Sequence, residues 1–142
     1  MSNLEKAKNL YEEGKYEFVC ITQNGEVLTS NERGIKYILS LTECASDVKG
    51  ASIADKIVGK AAALVSVYLG IKEIFAEVIS ESAVKVLEKH GIYYEYKNKV
   101  GAIENRTKTG MCPMEQTVFE IDCPKTAVDK LKEKVASLSK QQ

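Results

Sequence analysis

Histidine is almost missing from this 142-residue chain: His90 is the only one. A cysteine or serine nucleophile that relies on an imidazole base therefore has one candidate partner, and His90 reads as the end of a helix, where it complements the helix dipole. Cysteine is sparse as well, with four residues and no Cys-x-x-Cys pair. Net charge is absent. Twenty basic and 20 acidic residues cancel, no basic stripe interleaved with aromatics occurs, and neither nucleic acid nor an anionic membrane surface is indicated as a partner. The GxxxxGK[ST] phosphate loop does not occur. No apolar run is long enough to cross a bilayer, because Lys72 and Glu73 end the longest one early. The opening MSNLEKAKN has no signal-peptide apolar core, and with four scattered thiols this points to a reduced, cytoplasmic protein. Without repeats, low-complexity tracts or long linkers, residues 1–142 read as a single domain, long enough to bury a sizeable core.

What is present centres on Asp55 to Ser82. Ile57, Val58, Ala61, Ala62, Leu64, Val65, Val67, Tyr68 and Leu69 leave little polar face, which predicts a helix covered on most sides. Asp55 stands ahead of the run, where it can cap it, and Gly70 fits a C-terminal stop. Ile74, Phe75, Val78 and Ile79 predict a buried strand, and Ser80 the N-cap of a helix over Glu81 to His90.

Around this unit, Ser2 and Glu5 form a capping-box pattern for a helix to Glu13, with Leu4, Ala7, Leu10 and Tyr11 as its stripe. Tyr16–Thr22 and Glu26–Thr29 read as strands joined at Asn24-Gly25, a strong hairpin signal. Asn31 to Cys44 reads as a helix and Ala45 to Ala54 as a connection. Ile92–Tyr96 is dense in β-formers, and Lys97–Gly110 reads as a long loop with some extended structure near Val100–Ile103. Pro113 and Pro124 each open a helix. The expected fold is α/β, a three-layer α/β/α sandwich on a mixed sheet with at least one parallel pair.

The segments GKAAALV, SESAVKVLEKHGI and ENRTKTGMCPMEQTV resemble a small prokaryotic family of unknown function within the cytidine-deaminase-like superfamily. The resemblance spans nearly the whole chain and is most specific at NR…TGMCPME. It implies a cytidine-deaminase-like fold, a pocket where the two central helices begin, and a homo-oligomer. Zinc deaminases carry H/C-x-E on the first of those helices and P-C-x-x-C at the start of the second. Here the corresponding text is Gly59-Lys60-Ala61-Ala62 and Ser80-Glu81-Ser82-Ala83, with no imidazole or thiolate. Zinc needs about three protein ligands and an activatable water, so neither a metal nor another cofactor is expected.

The resemblance would place Asp55, Lys56, Gly59, Lys60, Ser80, Glu81 and Ser82 around a pocket built from two helix N-termini, suited to a nucleotide-like or other small anionic ligand. For Ser80 and Ser82 plain capping is the simpler reading; Gly59 and Lys60 admit either a ligand contact or packing and snorkelling. Asn105, Arg106, Cys112 and Glu115 form a second cluster. Cys112 at a helix start is a candidate nucleophile, Glu115 a carboxylate that either caps its own helix or catalyses, and Arg106 a fork for a phosphate or carboxylate. The alternatives to ligand binding are an enzyme using Cys112 or Glu115, or an oligomeric interaction module. Cys20 and Cys44 read as buried, Cys123 as helix-start packing, and Tyr93, Tyr94 and Tyr96 as half-buried sheet residues.

Overall fold

The computed structural model describes residues 1–32, 34–105 and 107–140. Helix α1 (Asn3–Glu12) begins as its capping box predicts, the Ser2 hydroxyl accepting the Glu5 N–H at 3.1 Å. Strands β1 (Phe18–Ile21) and β2 (Val27–Ser30) form the antiparallel hairpin, with Gly25 taking the left-handed turn position at φ +91°. Helix α2 (Lys36–Ser40) continues into a 3-10 turn over Leu41–Cys44 and then α3 (Ala45–Val48). The rest alternates: β3 (Ser52–Val58), α4 (Lys60–Leu69), β4 (Glu73–Ser80), α5 (Glu81–Lys89), β5 (Tyr93–Val100), then α6 (Pro113–Val118) and α7 (Pro124–Lys140).

The five strands make one mixed sheet in the order β2-β1-β3-β4-β5. The β1–β2 and β1–β3 pairs are antiparallel; β3–β4 and β4–β5 are parallel. The central strand β3 corrects the expectation of a helix starting near Asp55 and of a mere connection over Ala45–Ala54. Asp55, Ile57 and Val58 belong to the strand, and the helix starts only after Gly59. Asp55 therefore does not cap it. Ile53, Ile57 and Val58 are β-branched and suit a strand, whereas the Ala61-Ala62-Ala63 run suits the helix; Asp55 and Lys56 hide the transition.

Strand alternation gives the sheet two apolar faces. Val19, Ile21, Ala54 and Phe75 pack with Leu4, Ala7 and Tyr11 of α1. On the other face Phe18, Cys20, Ile53, Ile74 and Ala76 meet the larger core supplied by α2, α4, α5 and α7. Helix α4 lies at its centre, packed against α5, α6 and α7. Ala61 to Ser66 and Leu69 are all buried. Each such Leu or Val contributes about 1.5–3 kcal/mol by leaving water. Buried Ser66 donates to the Ala62 carbonyl at 2.8 Å, which satisfies its hydroxyl inside the helix.

Three further expectations shift. The Asn31–Cys44 helix starts only at Lys36, because Gly34 holds a left-handed φ of +77° that breaks a helical run. Strand β5 runs on to Val100, past the predicted loop start at Lys97, since pairing with β4 outweighs the polar Lys97-Asn98-Lys99 text. As an edge strand it leaves Tyr93 and Tyr96 exposed rather than half-buried. Among the described residues, no helix is long and apolar enough to cross a membrane.

Candidate functional site

Parallel strands β3 and β4 each deliver a helix at their carboxyl ends, so α4 and α5 start side by side. The N-terminus of α4 is closed from a distance in sequence. Glu115, on α6, is 8% exposed, and its two carboxylate oxygens accept the Lys60 N–H at 2.7 Å and the Ala61 N–H at 2.8 Å. These are two of the N–H groups a helix start leaves without intrahelical partners, and a carboxylate also complements the dipole there. Gly59 precedes them with extended backbone, φ −99° and ψ −173°. Its need for glycine is steric: a Cβ at Gly59 would land on the Glu115 carboxylate. Glu115 thus caps α4 rather than its own helix.

Helix α5 is capped locally. The Ser80 hydroxyl accepts the Ala83 N–H at 3.1 Å and lies 3.0 Å from the Ser82 hydroxyl. Between α5, residues 101–103 and α6 runs a cavity of about 280 Å³. Lys60, Ser82, Lys85 and Lys89 line it on the helix side, and Ile103, Met111 and Phe119 supply apolar surface. Lys60 is committed: its ammonium donates to the Phe119 carbonyl at 3.1 Å and pairs with Asp122 at 3.2 Å. Lys85 and Lys89 make no ion pair among the described residues, and both are exposed. A small cavity with unneutralised ammonium groups, a hydroxyl and an apolar wall fits an anion carrying an apolar or planar part.

Residues 6–135 match the family described as a domain of unknown function, DUF1893. The chain belongs to the DUF1893 family. It is similar to the crystal structure of a DUF1893 family protein from Thermotoga maritima, with a TM-score of 0.84 and 26% identity, over 93% of this chain and 89% of that one. No curated protein matches.

In this DUF1893 chain the residues singled out from sequence separate into groups. Lys60, Ser82 and Glu115 line the cavity, with Gly59 against Glu115 and Ser80 against Ser82. Glu81 is the first residue of α5. Lys56 lines a different cavity, of about 420 Å³, with Tyr11, Glu17 and Glu77, and lies 3.5 Å from the Glu17 carboxylate. Asp55 lines neither; it sits on β3, and burial, opposed by backbone hydrogen bonds from Lys56 and Ile57, pushes its carboxyl up to about 7. Asn105 organises its own loop, its Oδ1 accepting the Thr109 N–H at 3.0 Å. Arg106 lies outside the described residues.

The thiols differ from expectation in two respects, at Cys44 and at Cys123. Cys20 is buried and desolvation pushes it up to about 12, while Cys44 is half-buried. Cys112 is the half-buried N-cap of α6. Cys123 is exposed rather than packed, because it precedes the first turn of α7 on the surface; hydrogen bonding from Thr126 lowers its pKa. His90, the single imidazole, is the C-cap of α5.

Sequence reasoning overlooked Lys85, Lys89 and Phe119. The signal was available in the spacing. Ser82, Lys85 and Lys89 recur at intervals of three and four, a single face of α5, while Ala83, Val86 and Leu87 take the core side.

Proposed function

We propose that this protein binds a small anionic, nucleotide-like ligand in the cavity between α5 and α6, without zinc-dependent deamination. The observation that carries the reading is the pair Lys85 and Lys89, exposed and without an ion pair among the described residues, facing a space that also holds the Ser82 hydroxyl and the Ile103, Met111 and Phe119 side chains. An anionic group would sit on the lysines and an apolar or planar group against Phe119. Helices on both sides of the sheet support reading the fold as a three-layer α/β/α sandwich of the cytidine-deaminase-like type. The helix starts that bear zinc ligands in such deaminases hold Gly59, Lys60 and Ala61 on α4 and Ser80, Glu81 and Ser82 on α5. None is a thiolate or imidazole, so these residues do not fit a catalytic zinc.

The second reading is an enzyme working through Glu115 or Cys112. Its support is that Glu115 reaches the cavity. Against a general-base role stands its engagement: both oxygens already hold α4 N–H groups.

Native mass spectrometry of protein purified without added ligand, with elemental analysis, tests the proposal. A co-purifying mass of nucleotide size without stoichiometric zinc is the expected result. Stoichiometric zinc would overturn it and revive deamination.

A further inference from the structure

Strand β5 ends the sheet, paired on one side with β4. It is eight residues long, and Tyr93 and Tyr96 to Lys99 are all exposed along it. An edge of this length with open backbone groups is a pairing surface unless its side chains forbid it. The side chains of β5 forbid most registers and favour one. We propose that two copies of this chain join edge to edge through antiparallel β5 strands, on a two-fold axis at Tyr96.

The charges on β5 select the register. Glu95 and Lys97 point to the α1 side of the sheet, where Glu95 is bonded to Lys8 at 2.7 Å and Lys97 lies 3.8 Å from Glu12. A two-fold at Tyr96 sets Glu95 of each copy opposite Lys97 of the other, two complementary pairs on one face. A two-fold at Glu95 or at Lys97 would set that charge against itself. One between Tyr96 and Lys97 would leave Glu95 facing Asn98 and Lys97 facing Tyr96. Opposite charges directly across a strand pair stabilise it and like charges oppose it. The existing bonds of Glu95 leave it acceptor capacity, since a carboxylate offers about four lone-pair positions.

The other face agrees. Tyr94 and Tyr96 stack with ring centroids 6.3 Å apart and planes 16° from parallel, and Tyr96 is 43% exposed. The same axis brings the two Tyr96 rings together and continues this aromatic row across the junction. Aromatic cross-strand pairs add to sheet stability. The two sheets would merge into one of ten strands, from five in each copy.

Sedimentation velocity on the full chain and on Glu95→Lys and Lys97→Glu variants tests this. The wild type is expected to dimerise. Each variant alone places two like-charged pairs across the axis and should weaken the dimer by about tenfold or more. Mixing the two variants restores two opposite-charge pairs and should restore the dimer. Tyr96→Lys, which disturbs no ion pair within the chain, should also dissociate it and stands in if loss of the Glu95–Lys8 contact prevents folding. A monomeric wild type, variants that dimerise as the wild type does, or a mixture that stays monomeric would overturn the proposal.

Discussion

The Glu115 carboxylate lies against Gly59 and caps the helix that Gly59 introduces, 55 residues earlier in the chain at Lys60. One contact thereby ties α6 to the central helix beside the cavity that Glu115 helps to line. Removing the carboxylate with Glu115→Ala leaves two helix N–H groups without it, and the expected cost is about 1–3 kcal/mol in urea unfolding. Gly59→Ala drives a methyl group into the carboxylate and should cost about 1–3 kcal/mol as overpacking. The two changes should not add: with Glu115 truncated, the alanine at position 59 has room, so the double variant should lie close to Glu115→Ala alone. Additive losses would show that the contact is incidental.

Asp55 gives the fold a pH dependence of definite sign. Its carboxyl rises from an ordinary value of 3.8 to about 7, mainly through burial, with the Glu17 carboxylate acting in the same direction. The folded state then holds a proton that the unfolded state has lost, so this residue's contribution to stability declines as pH rises between about 4 and 7 and stays lost above that. Asp55→Asn removes the titration. Its melting temperature relative to wild type should climb across that window, which thermal unfolding at a series of pH values would read directly. A constant difference between the two proteins would refute the assignment to Asp55.

The thiols should label in a definite order. Cys123 is exposed and its pKa is lowered by hydrogen bonding from Thr126, whereas Cys20 is buried and pushed up to about 12. Near neutral pH, iodoacetamide should modify Cys123 first and Cys20 last, as peptide mass spectrometry would show. Labelling of Cys112 ahead of Cys123 would favour the thiol-enzyme alternative.

The elements with caps and turns were the legible ones. Ser2, Asn24-Gly25, Gly70, Ser80, Pro113 and Pro124 each mark a boundary by local chemistry, and the structure places a boundary at each. Strand β3 was hidden because a central strand with apolar cover on both faces needs no alternation, and because its end runs straight into an apolar helix with only Gly59 between them. The site divided in the same way. Lys60, Ser82 and Glu115 converge on one cavity, but nothing local to Glu115 shows that its partner is the start of α4 rather than of α6. That contact depends on how α6 returns across the helix layer. Lys85 and Lys89 carry no local mark of a site: both are exposed on α5, and only the fold brings residues 101–103 and Phe119 beside them.

Lys85 and Lys89 are proposed to hold the anionic part of a ligand in the α5–α6 cavity. Calorimetric titration of a nucleoside triphosphate, and separately of inorganic pyrophosphate, into the wild type and a Lys85→Glu/Lys89→Glu variant tests it most directly. Binding by the wild type is expected, with a loss of about tenfold or more in the variant and no change in its unfolding transition. Equal affinity in both proteins, or no binding of either compound by folded wild type, would contradict it.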